Sequence, residues 1–330
     1  MGRRKRSKVT TFASSQCVYG DIQYSSEDGY AKHLPVDYTV AFSNKCQLAC
    51  SMCDASYSEG IALESEGFLK ADSALEKNKW IRQRRALHAF DAVPSPEQWE
   101  AVRSNIVQSA ESVWFVGGEP LLIDEVRKTL VGLLEKATMR RITVGMSTNL
   151  QFFNEDIIDL MNQPDWHYSR TNIGLDGVGN VFEYVRHLGN WELLEKNIHR
   201  LLSETRHIQI CFSVVLQAYN ILHFTDILRW IELLPLDHRV SVAVSVLKNP
   251  PQLQYLSLGR AKICDAAEKL QGYLKNAELT LRWPNLQERL QGILNHLRHL
   301  QTLAPAMDAN ELTDFTQTMD GLRNTQWRDM

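Results

Sequence analysis

The chain has 330 residues, with 36 Lys and Arg against 39 Asp and Glu, a formal net charge of −3, 44% apolar residues and 23% charged ones. An ordinary apolar fraction with eight Trp, ten Tyr and eleven Phe excludes disorder throughout, and the length suits two domains or one larger α/β barrel with an appendage. No run of about 18 apolar residues occurs, so no membrane-spanning helix is expected.

The start is basic, with Arg3, Arg4, Lys5, Arg6 and Lys8, but no apolar stretch follows as in a secretory signal, and Arg6 stands where a myristoylation pattern wants Ser or Thr. It reads as a solvated end; contact with nucleic acid or anionic lipid is the alternative. Residues 9–37 are a polar lead-in broken by Gly20, Gly29 and Pro35. Residues 38–43 predict a strand that runs into a cluster of cysteines. Residues 60–93 predict a helix plus loop over the surface. Ser95-Pro96 opens a helix to about Gln108. Residues 112–116 form a strand ending in Gly117-Gly118, and a helix follows over 124–137. The next strand is 141–147, then Asn154 caps a helix to about Asn162. Residues 171–175 form a strand ending at Asp176-Gly177. A helix covers 190–203, a strand 208–215, a helix 221–233 and a sixth strand 239–246.

Strands alternating with helices imply a parallel sheet joined by crossovers, either open or a partial barrel. Ligands of such folds sit at the carboxyl ends of the strands, which is where the unusual residues fall. After Pro250-Pro251 the alternation stops, and 260–276, 285–303 and 309–323 read as helices of an appendage. The expected organisation is a lead-in over 1–37, a core over 38–248 and a helical appendage over 249–330.

The cysteine distribution carries the strongest signal. Cys46, Cys50 and Cys53 lie within eight residues, whereas Cys17, Cys211 and Cys264 are scattered, which reads as one local metal site in a reducing, cytoplasmic compartment. Three thiolates on one loop can hold three corners of a cubane iron–sulfur cluster and leave the fourth iron open. Zinc is the main alternative, although structural zinc wants four ligands and no second pair is at hand. Three unligated thiols are the other.

Cys46-Gln-Leu-Ala-Cys50-Ser-Met52-Cys53 resembles the cluster loop of the radical S-adenosylmethionine (radical SAM) enzymes. The resemblance extends to Gly117-Gly118-Glu119-Pro120, Ser147-Thr148-Asn149, Leu175-Asp176-Gly177 and Arg186, in the family's order, over about residues 38–247. It implies a partial (β/α)6 TIM-like barrel, a [4Fe-4S] cluster on Cys46, Cys50 and Cys53, and S-adenosylmethionine on the open iron. The glycines would let backbone approach the cofactor's methionine end. Glu119 would place negative charge beside the cofactor's amino group, and Pro120 would fix the turn. Met52 would offer an apolar face near the adenine. Asn149 and Asp176 would bind ribose or substrate, with helix capping as their alternative. Relatives often carry Ser where Gly174 stands, which leaves Arg186 as the partner of the cofactor carboxylate. Gln217 and Asn220 lie within reach of the barrel mouth. No residue is singled out for hydrogen abstraction.

The tail, with Met319-Asp320-Gly321-Leu322-Arg323, resembles the short "twitch" appendage of single-cluster members, and Cys264 alone cannot make an auxiliary cluster. The resemblance implies reductive cleavage of S-adenosylmethionine to a 5′-deoxyadenosyl radical, fed by an electron donor such as flavodoxin or ferredoxin. The tail and 60–93 would cover the mouth and choose the substrate, with Arg323 serving the substrate rather than the cluster. A peptide is the first substrate class, a nucleoside, RNA or small metabolite the second, and a non-enzymatic zinc-binding adaptor the alternative from another class.

Overall fold

A computed structural model describes residues 33–85, 95–302 and 309–327; the basic start, Cys17 and residues 86–94 lie outside them. Six strands, β1 (Asp37–Val40), β2 (Ser112–Phe115), β3 (Thr143–Thr148), β4 (Tyr168–Gly174), β5 (Ile208–Leu216) and β6 (Val240–Val246), form one sheet in sequence order. Every neighbouring pair is parallel. Among the described residues β1 and β6 do not pair, so the sheet is a partial barrel of the expected class.

The connections are helical: α1 (Glu59–Ala71), α2 (Lys79–Arg85) and α3 (Pro96–Ser109) after β1, α4 (Asp124–Ala137) after β2, and α5 (Glu155–Met161) after β3. Then come α6 (Asn180–Val185) and α7 (Trp191–Glu204) after β4, and α8 (Phe224–Glu232) after β5. Their starts are set locally. Ser95 and Gln98 form a capping box on α3, and the side chains of Asn154 and Asn190 accept from Ile157 and Leu193 N–H at the starts of α5 and α7. Their orientations follow the apolar spacing: α7 buries Leu194, Ile198, Leu201 and Leu202 in the core it shares with the strands. In β4, Ser169, Thr171 and Ile173 are buried while the residues between them are less so, the two-residue period of a strand.

The tail is helical as expected, with α9 (Arg260–Leu274), α10 (Glu278–Arg282), α11 (Pro284–Thr302) and α12 (Ala309–Arg323). Short α6 and α10 have no counterpart in the periodicity. The tail's Ile263, Leu290, Leu297, Phe315 and Met319 belong to the same apolar core as the sheet. The first strand is shorter than expected, because residues beyond Val40 leave the sheet to build the loop of cysteines. The segment from residue 60 is also corrected. Rather than lying over the surface, α2 buries Trp80, Ile81 and Arg84, one side of a helical turn. None of the described helices is long and apolar enough to cross a membrane.

Candidate functional site

The loop from Cys46 to Cys53 hangs from the carboxyl end of β1, and its backbone is held on every side. From α1, the N–H groups of Glu59 and Gly60 bond Asn44 O at 2.8 Å and Cys46 O at 3.1 Å. Ser58, the cap of α1, accepts from Ile61 N–H and donates to Leu48 O. From the α6 end, His187 O accepts Ala49 N–H at 2.9 Å and Val185 O accepts Ser51 N–H at 2.8 Å.

The glycine turn after β2 closes a third side. Gly118 N–H donates to Ser43 O at 2.9 Å and Glu119 N–H to Lys45 O at 2.7 Å. A Cβ on Gly118 would overlap Lys45 O and come within 2.6 Å of the Asn44 carbonyl carbon. One on Gly117, whose φ is +105°, would meet Ser43 O at 2.8 Å. These glycines are therefore required by packing against the chain entering Cys46. Packing thus gives these glycines a reason of its own, beside the approach to a cofactor expected of them.

Glu119 is fully buried and holds two turns together. Its Oε1 accepts from Thr148 Oγ1 at 2.5 Å and Leu121 N–H at 3.1 Å, and its Oε2 accepts from Asn149 N–H at 2.7 Å. Burial pushes its carboxyl up to about 7. Pro120 opens the single 3-10 turn that follows.

Asp176, expected at ribose or substrate, is fully buried and engaged within the protein. Its Oδ1 accepts Val215 N–H at 2.8 Å, and its Oδ2 accepts Arg186 Nε at 3.1 Å and Nη2 at 2.8 Å. Arg186 in turn fills the space above Gly174: a Cβ there would overlap Nη2 and lie 2.6 Å from Cζ. Its guanidinium thus stands where a serine side chain at 174 would be. Asn149, 6% exposed, reaches the thiols directly, with Nδ2 3.5 Å from Cys46 Sγ and Oδ1 accepting Gln47 Nε2 at 3.2 Å. Met52 is half-buried and packs on the core. Asn220 is a turn-former: Oδ1 accepts Gln217 N–H at 2.8 Å, and Nδ2 donates to Asp176 O and Val215 O at 3.1 and 2.9 Å. Gln217, at the end of β5, is fully buried with both amide atoms unpartnered, and Gln47 Oε1 is unpartnered too.

Sequence reasoning missed two groups beneath the loop and misassigned a third. Arg84 donates to Ala49 O at 3.3 Å, Cys50 O at 3.2 Å and Ser51 O at 3.0 Å. Arg323 donates to Ala49 O at 2.8 Å and grips Glu64 through Nε at 2.8 Å and Nη2 at 2.9 Å. The tail arginine therefore touches the loop itself, which corrects its assignment to substrate alone. His187 Nε2 lies 3.6 Å from Glu64, yet burial and then Arg323 push its imidazole down to about 4 and keep it neutral. The grouping of Arg84 with Trp80 and Ile81 on one helical turn was a usable signal; residues 64 and 323 share none.

Cys46, Cys50 and Cys53 are free thiols. The Cys50 thiol is pulled down to about 7, foremost by its hydrogen bond from Cys53 and then, against burial, by the charges of Arg186 and Arg84. Burial pushes Cys46 up to about 11, and the same hydrogen bond followed by burial raises Cys53. Among the described residues no group of three His, Cys, Asp or Glu side chains is set for a single metal ion. Three soft thiols, nearby cations and unpartnered amides suit a larger sulfur-bridged cluster with a polar ligand beside it.

A cavity of about 610 Å³ bordered by Cys46, Gln47, Glu64, Leu122, His187 and Arg323 reaches the loop from the α1 side. Another, about 640 Å³ and edged by Glu100, Arg103 and Arg140 of the α3–α4 surface, includes none of the site residues.

Residues 40–231 match the family described as the Radical SAM superfamily. Among solved structures the chain is similar to SuiB of Streptococcus suis bound to S-adenosylmethionine, at 16% identity and a TM-score of 0.39, covering 74% of this chain and 46% of that one. It is similar to SuiB bound to its precursor peptide SuiA, at 14% identity and a TM-score of 0.42, covering 74% and 47%. It is also similar to TsrM, a radical S-adenosylmethionine methyltransferase from Kitasatospora setae with cobalamin and a [4Fe-4S] cluster bound, at 14% identity and a TM-score of 0.32, covering 45% and 28%. The chain spans about half the length of the SuiB chains. No curated protein matches it.

Proposed function

The chain belongs to the Radical SAM superfamily, a family of enzymes whose cofactors are a [4Fe-4S] cluster and S-adenosylmethionine, and from that premise we propose that it makes a 5′-deoxyadenosyl radical and uses it on a peptide. The single observation that carries the first half is the loop of Cys46, Cys50 and Cys53, gripped by backbone groups of Gly60, Val185 and His187 and by two buried arginines. Held by Cys46, Cys50 and Cys53, a reduced cluster would supply the electron for reductive cleavage of S-adenosylmethionine, the chemistry from which hydrogen abstraction would follow.

The protein's own part is binding, positioning and exclusion of water. Cys46, Cys50 and Cys53 are the ligands, and Arg84 and Arg186 favour the Cys50 thiolate. Asn149 orients Cys46. Arg186, held over Gly174 by Asp176, takes the cofactor carboxylate in place of the absent serine. Gln217 offers a donor and an acceptor, and Met52 an apolar face, to the rest of the ligand. Family membership sets aside the zinc adaptor. The peptide reading rests on the likeness of the helical tail to the twitch appendage of single-cluster members. Use of a flavodoxin or ferredoxin and residence in a reducing cytoplasm complete the proposal.

The test is anaerobic reconstitution with iron and sulfide. A brown protein with about four irons that releases 5′-deoxyadenosine on reduction supports the reading. A colourless protein with one zinc overturns it. Each Cys→Ala change at 46, 50 or 53 should abolish iron and cleavage, while replacing Cys17, Cys211 and Cys264 together should leave one cluster.

A further inference from the structure

Glu64, Arg84 and Arg323 come from α1, α2 and α12, and meet under the backbone of the three cysteines. Their side chains are 10%, 4% and 5% exposed, so the charges act with little solvent screening. Both guanidinium groups bond the same carbonyl, Ala49 O, and share Glu64 Oε2 at 3.5 and 2.9 Å. Two cations face one carboxylate, and His187 beside them is neutral, so the group carries a net positive charge. The two arginines repel each other: burial and then Arg323 hold the Arg84 guanidinium down to about 10.

If it served only to hold the loop, this would be a costly design. Burying three charges is expensive, and an apolar plug of similar volume would be as stable or more so. The arrangement gains value when a negative charge arrives next to it, which is what cluster reduction brings.

On the reading that Cys46, Cys50 and Cys53 hold the cluster, we propose that Arg84, Glu64 and Arg323 form a charged clasp that favours the reduced cluster, and that Arg323 contributes only while α12 is seated. The contacts that seat α12 involve none of the three clasp side chains. Trp80 Nε1 donates to Asp314 at 2.9 Å, Trp80 packs edge-on against Phe315 at 5.3 Å, and Tyr184 OH donates to Asp320 at 2.9 Å. Arg323 can therefore be changed with the helix still in place. These are positioning residues: they act through the loop and not on a substrate.

The experiment uses the full chain, anaerobically reconstituted, with iron and sulfide counted before a redox titration followed by electron paramagnetic resonance without S-adenosylmethionine. Arg323→Gln should keep its iron and lower the midpoint by at least about 59 mV, a tenfold loss in the one-electron reduction equilibrium. Arg323→Lys should recover most of that shift, because the charge remains. Glu64→Gln should move the midpoint the opposite way, because the clasp loses its only anion. Phe315→Ala, which loosens the seat and leaves every charge in the sequence, should shift it in the direction of Arg323→Gln. Coincident midpoints in iron-replete parent, Arg323→Gln and Glu64→Gln would overturn the clasp. Where Arg323→Gln fails to hold iron, the sign of the Glu64→Gln shift decides. A parent chain that binds no cluster overturns the functional reading itself, and the clasp falls with it; iron and sulfide content tells the two failures apart.

Discussion

Gly118 shows how a single missing Cβ positions the loop. A side chain there has to displace backbone at Asn44 and Lys45, immediately ahead of Cys46, and backbone cannot swing aside as a flexible side chain can. Gly118→Val should therefore lower iron content together with cofactor binding, with a stability loss of about 1–3 kcal/mol typical of overpacking. Gly67→Ala, where an added Cβ meets nothing, is the control. Normal iron in Gly118→Val would return the glycine to a role at the cofactor. Glu119 supports a second prediction at this scale. Three donors point at its two oxygens, so Glu119→Gln must leave at least one facing an NH₂, at a cost of about 1–3 kcal/mol. The folded carboxyl is raised above its ordinary value to about 7, so its contribution to stability is complete in acid and is lost as pH rises through about 7. The stability gap between the parent and Glu119→Gln should accordingly narrow from about pH 5 to about pH 8. Denaturant unfolding of the metal-free proteins measures it, and a gap that widens with pH contradicts the assignment.

At the scale of elements, α1 does double duty, because its cap residue also serves the loop of cysteines. Ser58 satisfies the N–H of Ile61 and the carbonyl of Leu48 at once. Ser58→Ala should cost about 1 kcal/mol as a lost cap, and more because a buried loop carbonyl loses its donor. The expected result is slower iron uptake and a lower unfolding midpoint, whereas a parent-like protein on both counts would detach α1 from the loop. This coupling bears on what was readable beforehand. Strands and most helices were legible because their signals are local: alternation in β4, three-and-four spacing in α7, Ser95-Pro96 ahead of α3. The cysteine cluster was visible because its three thiols lie within eight residues of chain. Short α6 lacks room for a periodic pattern, yet its end supplies two of the loop's hydrogen bonds. The clasp was illegible for a different reason. Residues 64, 84 and 323 meet only after folding, and a charged residue reads as solvated until its burial is seen. The partners of Glu119 and Asp176 were illegible for the same reason: a carboxylate at a strand end looks free, but both accept hydrogen bonds from other turns.

Across the whole molecule the tail and the barrel are one body, and the consequence is testable by truncation. Leu253 O accepts Ala218 N–H at 2.8 Å, Arg289 Nε donates to Val244 O at 3.0 Å, and Tyr219 OH lies 2.7 Å from Thr316 Oγ1. Trp327 stacks near Tyr184 and Tyr219, with ring centres 4.6 and 5.1 Å away. A chain ending at Lys248 loses Tyr255, Leu290, Leu294 and Phe315 from the shared core, each worth about 1.5–3 kcal/mol of burial. Four such losses alone match the total stability of an ordinary domain, about 5–15 kcal/mol. That chain is expected not to fold. A chain ending at Thr302 is the sharper experiment. It retains α9 to α11 and most of the shared core, but it removes α12, unpacks Trp80 and leaves Glu64 with a single arginine. It should remain helical by circular dichroism while holding less than about half the parent's iron, because α2 and Arg84 lose their support and the loop carbonyls lose their donors. Full iron and an unchanged unfolding midpoint in that shortened chain would mean that α12 only rests on the barrel, and the tail would return to the service of the substrate alone.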